Sequence, residues 1–252
     1  MEKKNEDGEI SDLDDDILDQ EQEDEEEKVS RKKKKYLPKD IIKLCTVDMV
    51  EELEQEIDDS PWLLDLLSEE KKSLIIIAAE EGSSKSAAML INKGCDVNIC
   101  RANGDHSLLI CAKIGFHYPA QMEIIRMLLD SNKVGVDHCN FQGETAFLVA
   151  AKLANFPLAS ALLAKGADIN FGGRLGNTAL IRAGFFVYNQ LDIIKFLIDN
   201  KASLNKANMN GETAFIAACK HEQTEAAILL ANSGADINAQ DNNGRTGLMV
   251  LR

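Results

Sequence analysis

Features that mark several common protein classes are missing from this 252-residue chain. Its longest uninterrupted apolar run, residues 74–79, is far shorter than the ~18 residues that a membrane span needs, so we expect no membrane insertion. The N-terminus has no apolar segment of the kind found in secretory signals. The six cysteines form no C-x-x-C pair and no zinc spacing, which favours a reducing compartment. We therefore expect a cytoplasmic or nuclear protein.

Negative charge is concentrated at the N-terminus. Residues 1–30 carry fifteen Asp or Glu and three Lys, and residues 31–35 are all basic, which leaves a net charge of −7 out of −14 on residues 36–252. A segment so charged and so poor in apolar residues cannot offset the entropy cost of folding, so we expect a disordered acidic tail with a basic run over 1–37. Because an acidic chain lacks the Lys and Arg that neutralise phosphates, nucleic acid is not an expected partner.

Two motifs in this tail have more than one interpretation. Aliphatic residues at 10, 13, 17 and 18 recur at helical spacing among acidic ones, which is typical of a segment that folds onto a partner and equally of a solvated spacer. The basic run Arg31–Lys35 fits a nuclear import signal, an electrostatic partner for the acidic tail, or a solvated linker.

Residues 38–70 have the texture of folded protein. Apolar residues recur every three or four positions over 41–57, Ser60-Pro61 interrupts the pattern, and a dense apolar cluster follows at 62–67. This pattern predicts a helix pair that docks on the next part of the chain, as a divergent N-terminal capping repeat.

Two short motifs recur along the rest of the chain. One begins with Gly-x-Thr at Gly143, Gly176, Gly211 and Gly244, which are 33, 35 and 33 residues apart. The other has the form Gly-x-Asp-x-Asn and covers 94–98, 166–170 and 234–238. Helix-length segments separate the motifs. This period predicts a stack of helix pairs, each of which buries its apolar face against its neighbours.

These motifs resemble those of the ankyrin-repeat family over about residues 71–252. The resemblance implies an all-α ankyrin-repeat solenoid of helix-turn-helix-hairpin units, with about five repeats and a C-terminal partial repeat. In such a unit Thr caps the first helix, a left-handed Gly ends the second, and Asp-x-Asn turns the chain into a hairpin. The chain lacks the Pro and His of the family's T-P-L-H motif. It also stops inside a first helix, which indicates a clipped chain or a minimal cap over 248–251.

The resemblance further implies a surface that binds other proteins, built from hairpin tips and first helices of a monomeric array. The tip residues are Arg101, Asn103, Asp105, Phe141, Gln142, Arg174, Leu175, Met209, Asn210, Asn242 and Asn243. The first-helix positions are Ile77, Ile110, Val149, Lys152, Arg182, Lys220 and His221. Such a surface binds well because a rigid platform loses little entropy on docking.

Two units carry aromatic insertions between their helices. Phe116 and Tyr118 lie in one insertion, and Phe186 and Tyr188 in the other. Because the units are two apart, we expect both insertions on one edge of the solenoid, where they serve as binding hot spots or cover the helix ends.

No arrangement of catalytic residues is visible. The four histidines fall at non-equivalent positions without a neighbouring nucleophile motif, and Cys95, Cys111 and Cys219 occupy small-residue packing positions. The Gly-rich segment 171–176 lies in an expected hairpin rather than between a strand and a helix, so it does not predict a phosphate site. We expect neither enzyme activity nor a cofactor or metal.

Three asparagines, Asn98, Asn170 and Asn238, resemble positions that asparaginyl hydroxylases modify in ankyrin hairpins. The resemblance therefore predicts hydroxylation there, although the turn alone equally explains these residues.

These observations favour a non-catalytic adaptor or scaffold that binds proteins. One alternative is a regulatory or substrate-recruiting segment of a larger enzyme or channel assembly. The other is a nuclear regulator that depends on Arg31–Lys35.

Overall fold

The structure, a computed structural model, describes residues 37–114, 118–185 and 191–251; residues 1–36 of the predicted tail lie outside these ranges. Within them it has thirteen α-helices, two 3₁₀ segments (Pro61–Asp65 and Arg174–Gly176) and no β-strand. The helices are α1 (Lys39–Thr46), α2 (Val50–Asp59), α3 (Leu74–Glu81), α4 (Ser84–Asn92), α5 (Ser107–Ile114), α6 (Pro119–Asp130), α7 (Ala146–Lys152), α8 (Phe156–Ala164), α9 (Ala179–Phe185), α10 (Leu191–Asp199), α11 (Ala214–Lys220), α12 (Thr224–Asn232) and α13 (Gly247–Val250). None of these helices has the length and apolar character that a membrane crossing requires.

The helices are arranged as stacked pairs. From α3/α4 to α11/α12 there are five pairs in the described ranges, and their first helices α3, α5, α7, α9 and α11 contact one another in succession. Helices α1 and α2 stack on α3 and α4 in the same manner, and α13 packs on α11. The predicted all-α solenoid of repeated helix pairs is confirmed.

The core runs along the first helices. Six consecutive residues are buried in α3 (Leu74–Ala79), in α7 (Ala146–Ala151) and in α11 (Ala214–Cys219). A first helix has a helix pair on each side, so it lacks the wide polar face of an ordinary surface helix. Small residues such as Ala78 and Ala150 are fully covered, which allows the helices to approach closely.

Threonine caps begin three of the first helices, as the motif predicts. The hydroxyls of Thr145, Thr178 and Thr213 each accept a hydrogen bond from the backbone N–H three residues later, at 3.1–3.4 Å. Each bond satisfies one of the N–H groups that the first turn of a helix leaves unpaired. The predicted left-handed glycines after the second helices are also confirmed, since Gly94, Gly166 and Gly234 have φ of 87°, 91° and 96°.

A ladder of side-chain bonds ties each hairpin to the next. In four successive units an Asn or Asp oxygen accepts the backbone N–H at the start of the following turn, at 2.7–3.1 Å. The pairs, acceptor first, are Asn98 with Gly135, Asp137 with Asp168, Asn170 with Ser203, and Asn205 with Asp236. These residues therefore fix neighbouring units to each other as well as turning the chain.

His106 breaks the pattern, because it occupies the position that Thr holds in the later units. It is fully buried, neither ring nitrogen has a hydrogen-bond partner within the described structure, and its ring lies 4.8 Å from that of His138. Burial, with a contribution from His138, lowers the pKa of His106 to about 4. The second helix pair therefore contains a neutral imidazole in place of a cap.

We predict that His106 makes the fold sensitive to acid. Its pKa is about 4 when folded and near 6.5 when unfolded, so at intermediate pH the unfolded chain binds more protons and stability falls as the pH falls. Over this range, the free energy of unfolding of the native protein should fall by up to about 3 kcal/mol more than that of H106F, as measured by urea titration at each pH. The control H221F removes an exposed histidine and should follow the native curve; parallel curves for H106F and native protein would contradict the prediction.

Candidate functional site in the hairpin tips and groove

Each hairpin tip is a tight turn closed by a glycine. Gly143 and Gly211 have φ of 71° and 77°, and a Cβ atom on Gly143 would strike the backbone nitrogen of Arg174 in the next tip. A buried asparagine three residues before each of these glycines, Asn140 or Asn208, holds the turn. Its side-chain oxygen accepts two backbone N–H bonds at 2.9–3.0 Å.

Adjacent tips are bonded through their backbones. The N–H of Phe141 donates to the carbonyl of Asn103 (3.2 Å), and the N–H of Met209 donates to the carbonyl of Leu175 (2.9 Å). Three of these residues carry large apolar side chains that remain exposed: Phe141 at 78%, Leu175 at 52% and Met209 at 71%. We call Phe141, Leu175 and Met209 the tip row. It is an apolar strip on a backbone that is already held in place.

A second surface lies between the hairpin tips and the ends of the first helices. We call this surface the groove, and ion pairs line it. Its charged residues are Lys72, Glu80, Arg101, Asp105, Lys113, Glu144, Lys152, Arg182, Glu212 and Lys220. Lys113 bridges Asp105 (2.9 Å) and Glu144 (3.1 Å) and so joins two units. Burial alone would raise the pKa of Asp105, but hydrogen bonds from Asn140 and Lys113 outweigh it and lower that pKa. The carboxylate therefore stays ionised and neutralised inside the protein.

A family model of ankyrin repeats in three copies matches the chain over residues 74–172, 108–208 and 185–250. The chain belongs to the ankyrin-repeat family. Ankyrin repeats mediate protein–protein interactions, so this array is a protein-interaction module.

Known proteins similar to this ankyrin chain match it over part of their length. An ankyrin repeat protein of Acanthamoeba polyphaga mimivirus is 30% identical in an alignment of 135 residues that covers 46% of this chain and 23% of the relative. The intracellular phospholipase A2 of Caenorhabditis elegans is 34% identical in an alignment of 106 residues that covers 40% of this chain and 10% of that protein. The chain therefore spans less than a quarter of either relative. The crystal structure of the ankyrin repeat domain of Bcl-3 superposes with a TM-score of 0.76 at 20% identity, covers 84% of this chain and 93% of that one, and shows the same fold.

Most of the predicted tip residues lie at the surface of the ankyrin array. Those that are exposed are Asn103, Phe141, Gln142, Arg174, Leu175, Met209, Asn210, Asn242 and Asn243. Arg101 is half-buried and pairs with Glu80. Asp105 is the exception: it is buried, where it bonds to Asn140 and Lys113, so its prediction as a surface contact is corrected to a structural role.

Three predicted first-helix positions are also corrected. Ile77, Ile110 and Val149 are buried, because they face the neighbouring helix pair instead of solvent. Ile77 forms part of the floor of a cavity of about 310 Å³ beside α1. The polar predicted positions differ: Lys152, Lys220 and His221 are exposed, and Arg182 is half-buried. The groove therefore presents charged side chains over an aliphatic layer.

Of the predicted aromatic insertions, Phe116, Phe186 and Tyr188 lie outside the described residues. Tyr118 is described; it precedes α6 and is exposed. The neighbouring Phe185 is half-buried and meets the ring of His221 edge-on at 5.1 Å. The choice between hot spots and covers for the helix ends stays a prediction.

The three asparagines predicted as hydroxylation sites have different surroundings. Asn98 and Asn170 belong to the hairpin ladder, and Asn98 also donates to the carbonyl of Lys133 at 2.8 Å. Asn238 is exposed, and its backbone N–H bonds to Asp236. Modification of these residues stays a prediction.

The cysteines and histidines do not assemble into a reactive centre in the described ranges. Burial raises the pKa of Cys45, Cys95 and Cys111 to about 12, so these thiols stay protonated. Cys100 contacts His138 at 3.1 Å, but burial raises its pKa as well. The described residues contain no group of three or more His, Cys, Asp or Glu placed to hold a metal ion.

We predict that buried asparagines, rather than exposed ones, hold the ankyrin tips. N140A removes an oxygen that accepts two backbone N–H bonds and an amide that donates to Asp105, and it should lower the free energy of unfolding by about 2 kcal/mol. The matched variant Q142A changes an exposed residue two positions away in the same tip and should cost less than about 0.5 kcal/mol. Chemical denaturation of both variants measures the difference, and equal losses would contradict the assignment.

Proposed function

We propose that this chain is a non-catalytic adaptor whose ankyrin array binds a protein partner through the tip row. The observation that carries the proposal is the exposure of three large apolar side chains, Phe141, Leu175 and Met209, on successive hairpin tips. Single apolar residues are normal at a protein surface, whereas exposed apolar residues repeated on neighbouring tips favour an interaction site.

The energetics favour this strip as a docking surface. Fully burying a side chain of the Leu, Phe or Met class stabilises a complex by about 1.5–3 kcal/mol. The backbone beneath the strip is already fixed by bonds between tips, so little ordering entropy is lost when a partner docks.

The backbone of Leu175 supports the same conclusion. Its φ is 67°, a left-handed conformation that bulky residues avoid at a cost of roughly 1–2 kcal/mol. The side chain nevertheless remains half-exposed and therefore gains little burial energy in return. Residues held in such strained conformations are found more often at binding sites.

The absence of chemistry is also part of the proposal. Burial keeps the thiols of Cys45, Cys95 and Cys111 protonated, and it also raises the pKa of Cys100, the thiol that contacts His138 at 3.1 Å. The acidic tail, residues 1–30, would provide a second contact to the partner. The array would act as a monomer in the cytoplasm, or in the nucleus if Arg31–Lys35 directs import.

A second candidate function has one specific observation in its favour. The intracellular phospholipase A2 of Caenorhabditis elegans carries a similar segment over 10% of its length. An ankyrin array of this kind would recruit a substrate or regulate activity within a larger assembly. Transcripts that continue into a catalytic or membrane segment would support this candidate over a free-standing adaptor.

The tip row is tested by the triple variant F141S/L175S/M209S. Each position is also changed singly. The single changes at Phe141 and Met209 should leave the free energy of unfolding within about 0.5 kcal/mol of native, since exposed residues contribute little. Each of the three single changes should weaken partner binding at least tenfold. The measurement is affinity capture with the intact chain, followed by denaturation of each variant.

The matched control is V47S/I228S, which removes two apolar side chains that are 54% and 55% exposed on other parts of the surface. It should retain every partner that native protein captures. Equal retention by the control and the tip variant would reject the tip row as the binding site.

A further inference from the structure

Basic side chains along most of the groove are neutralised within the protein. Lys72 pairs with Glu70 and Glu80 at 2.7 and 2.9 Å, and Arg101 also pairs with Glu80. In the second and fifth units the residue before the helix N-cap is acidic, and the residue seven positions after the N-cap is basic. These residues form the pairs Asp105–Lys113 and Glu212–Lys220.

This pairing of an acidic and a basic residue is missing in the third and fourth helix pairs. Lys152 is the basic residue after the cap Thr145, but its expected partner Glu144 bonds instead to Lys113 (3.1 Å) and Asn140 (3.3 Å). In the fourth pair the residue before the cap is the neutral Asn177, and α9 carries an additional cation, Arg182. No carboxylate of the described residues lies within ion-pairing distance of Lys152 or Arg182, so Glu144 acts on both only through space.

The side chains of Lys152 and Arg182 contribute to one small cleft between α7 and α9. Its other lining residues are Leu148, Ala151, Ala179, Ala183 and Ile193. The guanidinium is half-buried, which lowers the pKa of Arg182 below its usual range but leaves it charged at neutral pH. Half-burial in an apolar cleft strengthens its attraction for a negative charge relative to open water.

The fourth hairpin is shaped to admit this arginine. Its turn is closed by the same backbone hydrogen bond as the third hairpin. In the fourth the N–H of Gly176 donates to the carbonyl of Gly173 (2.9 Å), and in the third the N–H of Gly143 donates to the carbonyl of Asn140 (2.8 Å). Glycine nevertheless replaces the asparagine that holds the turn in the third and fifth hairpins. A Cβ atom at Gly173 would strike the carbonyl oxygen of Gly143 in the preceding tip and the Arg182 Nη2 atom, so the close approach of that backbone requires glycine and the guanidinium lies beside it. The exposed Arg174 follows directly and adds a third positive charge.

We infer that Lys152, Arg174 and Arg182 form a binding site for a carboxylate side chain of the protein partner. This inference rests on the proposed function, because the site adjoins Leu175 of the tip row. The partner segment therefore carries an acidic residue next to a large apolar one. Two unpaired cations and an exposed arginine match a single carboxylate, whereas the net charge of −14 on the whole chain opposes the approach of a polyanion such as nucleic acid.

The first test uses the full chain and a fluorescein-labelled peptide of three Leu-Glu-Glu repeats, with a Leu-Gln-Gln peptide as its uncharged match. By fluorescence anisotropy at ~50 mM salt, native protein should bind the Glu peptide at least tenfold more tightly than the Gln peptide, and ~500 mM salt should remove most of this preference. K152Q/R182Q should abolish the preference, and K152R/R182K should keep it.

The matched control is K85Q/R126Q, which removes the same charge from exposed positions on the second helices α4 and α6. It should leave the preference intact. Thermal melting of each variant separates lost binding from lost folding. Equal affinity for both peptides, or no binding of the Glu peptide to native protein, would overturn the inference. The proposed function would still stand if F141S/L175S/M209S lost binding to the Gln peptide.

The second test identifies the occupant of the site. A carbodiimide joins a lysine amine to a carboxylate in direct contact, and mass spectrometry locates the amide that forms. A link between Lys152 and a glutamate of the peptide supports the inference. The opposite result is a link between Lys152 and an acidic residue within 1–30 of the same chain, formed in preference to the peptide at saturating peptide concentration. That result would overturn the inference, because the site would then belong to the chain's own tail.

Discussion

Every helix pair in this protein depends on the next pair to cover its apolar face. The first helices are seven or eight residues long, and those of four units bury six residues each, which leaves them no independent polar side. A helix of that length is unstable alone in water, so its stability comes from packing against neighbours. The same requirement explains the small residues in α3 and α7 and the hairpin ladder that ties each unit to the following one.

The surface follows from this core. Stacking sets the hairpin tips side by side, where backbone bonds between tips hold Phe141, Leu175 and Met209 in an exposed strip. The charged groove lies directly beneath. The backbone of this surface is already held by bonds between tips, so a docking partner would have little ordering entropy to offset.

Two units depart from the common plan, and their consequences differ. In the second, His106 takes the position of a capping threonine and places in the core an imidazole that no described residue hydrogen-bonds. In the fourth, glycine stands at position 173, where the third and fifth hairpins have an asparagine that holds the turn. Arg182 lies beside it in the groove, so this unit lacks the structural amide and has an additional positive charge. A repeat tolerates such a local exchange because its neighbours still supply most of its packing.

Structural elements that depend on nearby residues could be predicted from the amino-acid sequence. The period of the Gly-x-Thr motif predicts the helix pairs. Thr145 caps one helix and Gly94 ends another, and both are predictable because a cap acts within one turn of chain. Which side chains remain at the surface could not be predicted in the same way and became known from the packing of the helix pairs. Asp105 and Val149 looked like surface residues but are buried, and Glu144 chooses Lys113 over Lys152. Burial and ion pairing depend on the distance between residues about thirty positions apart, which stacking sets and local sequence does not.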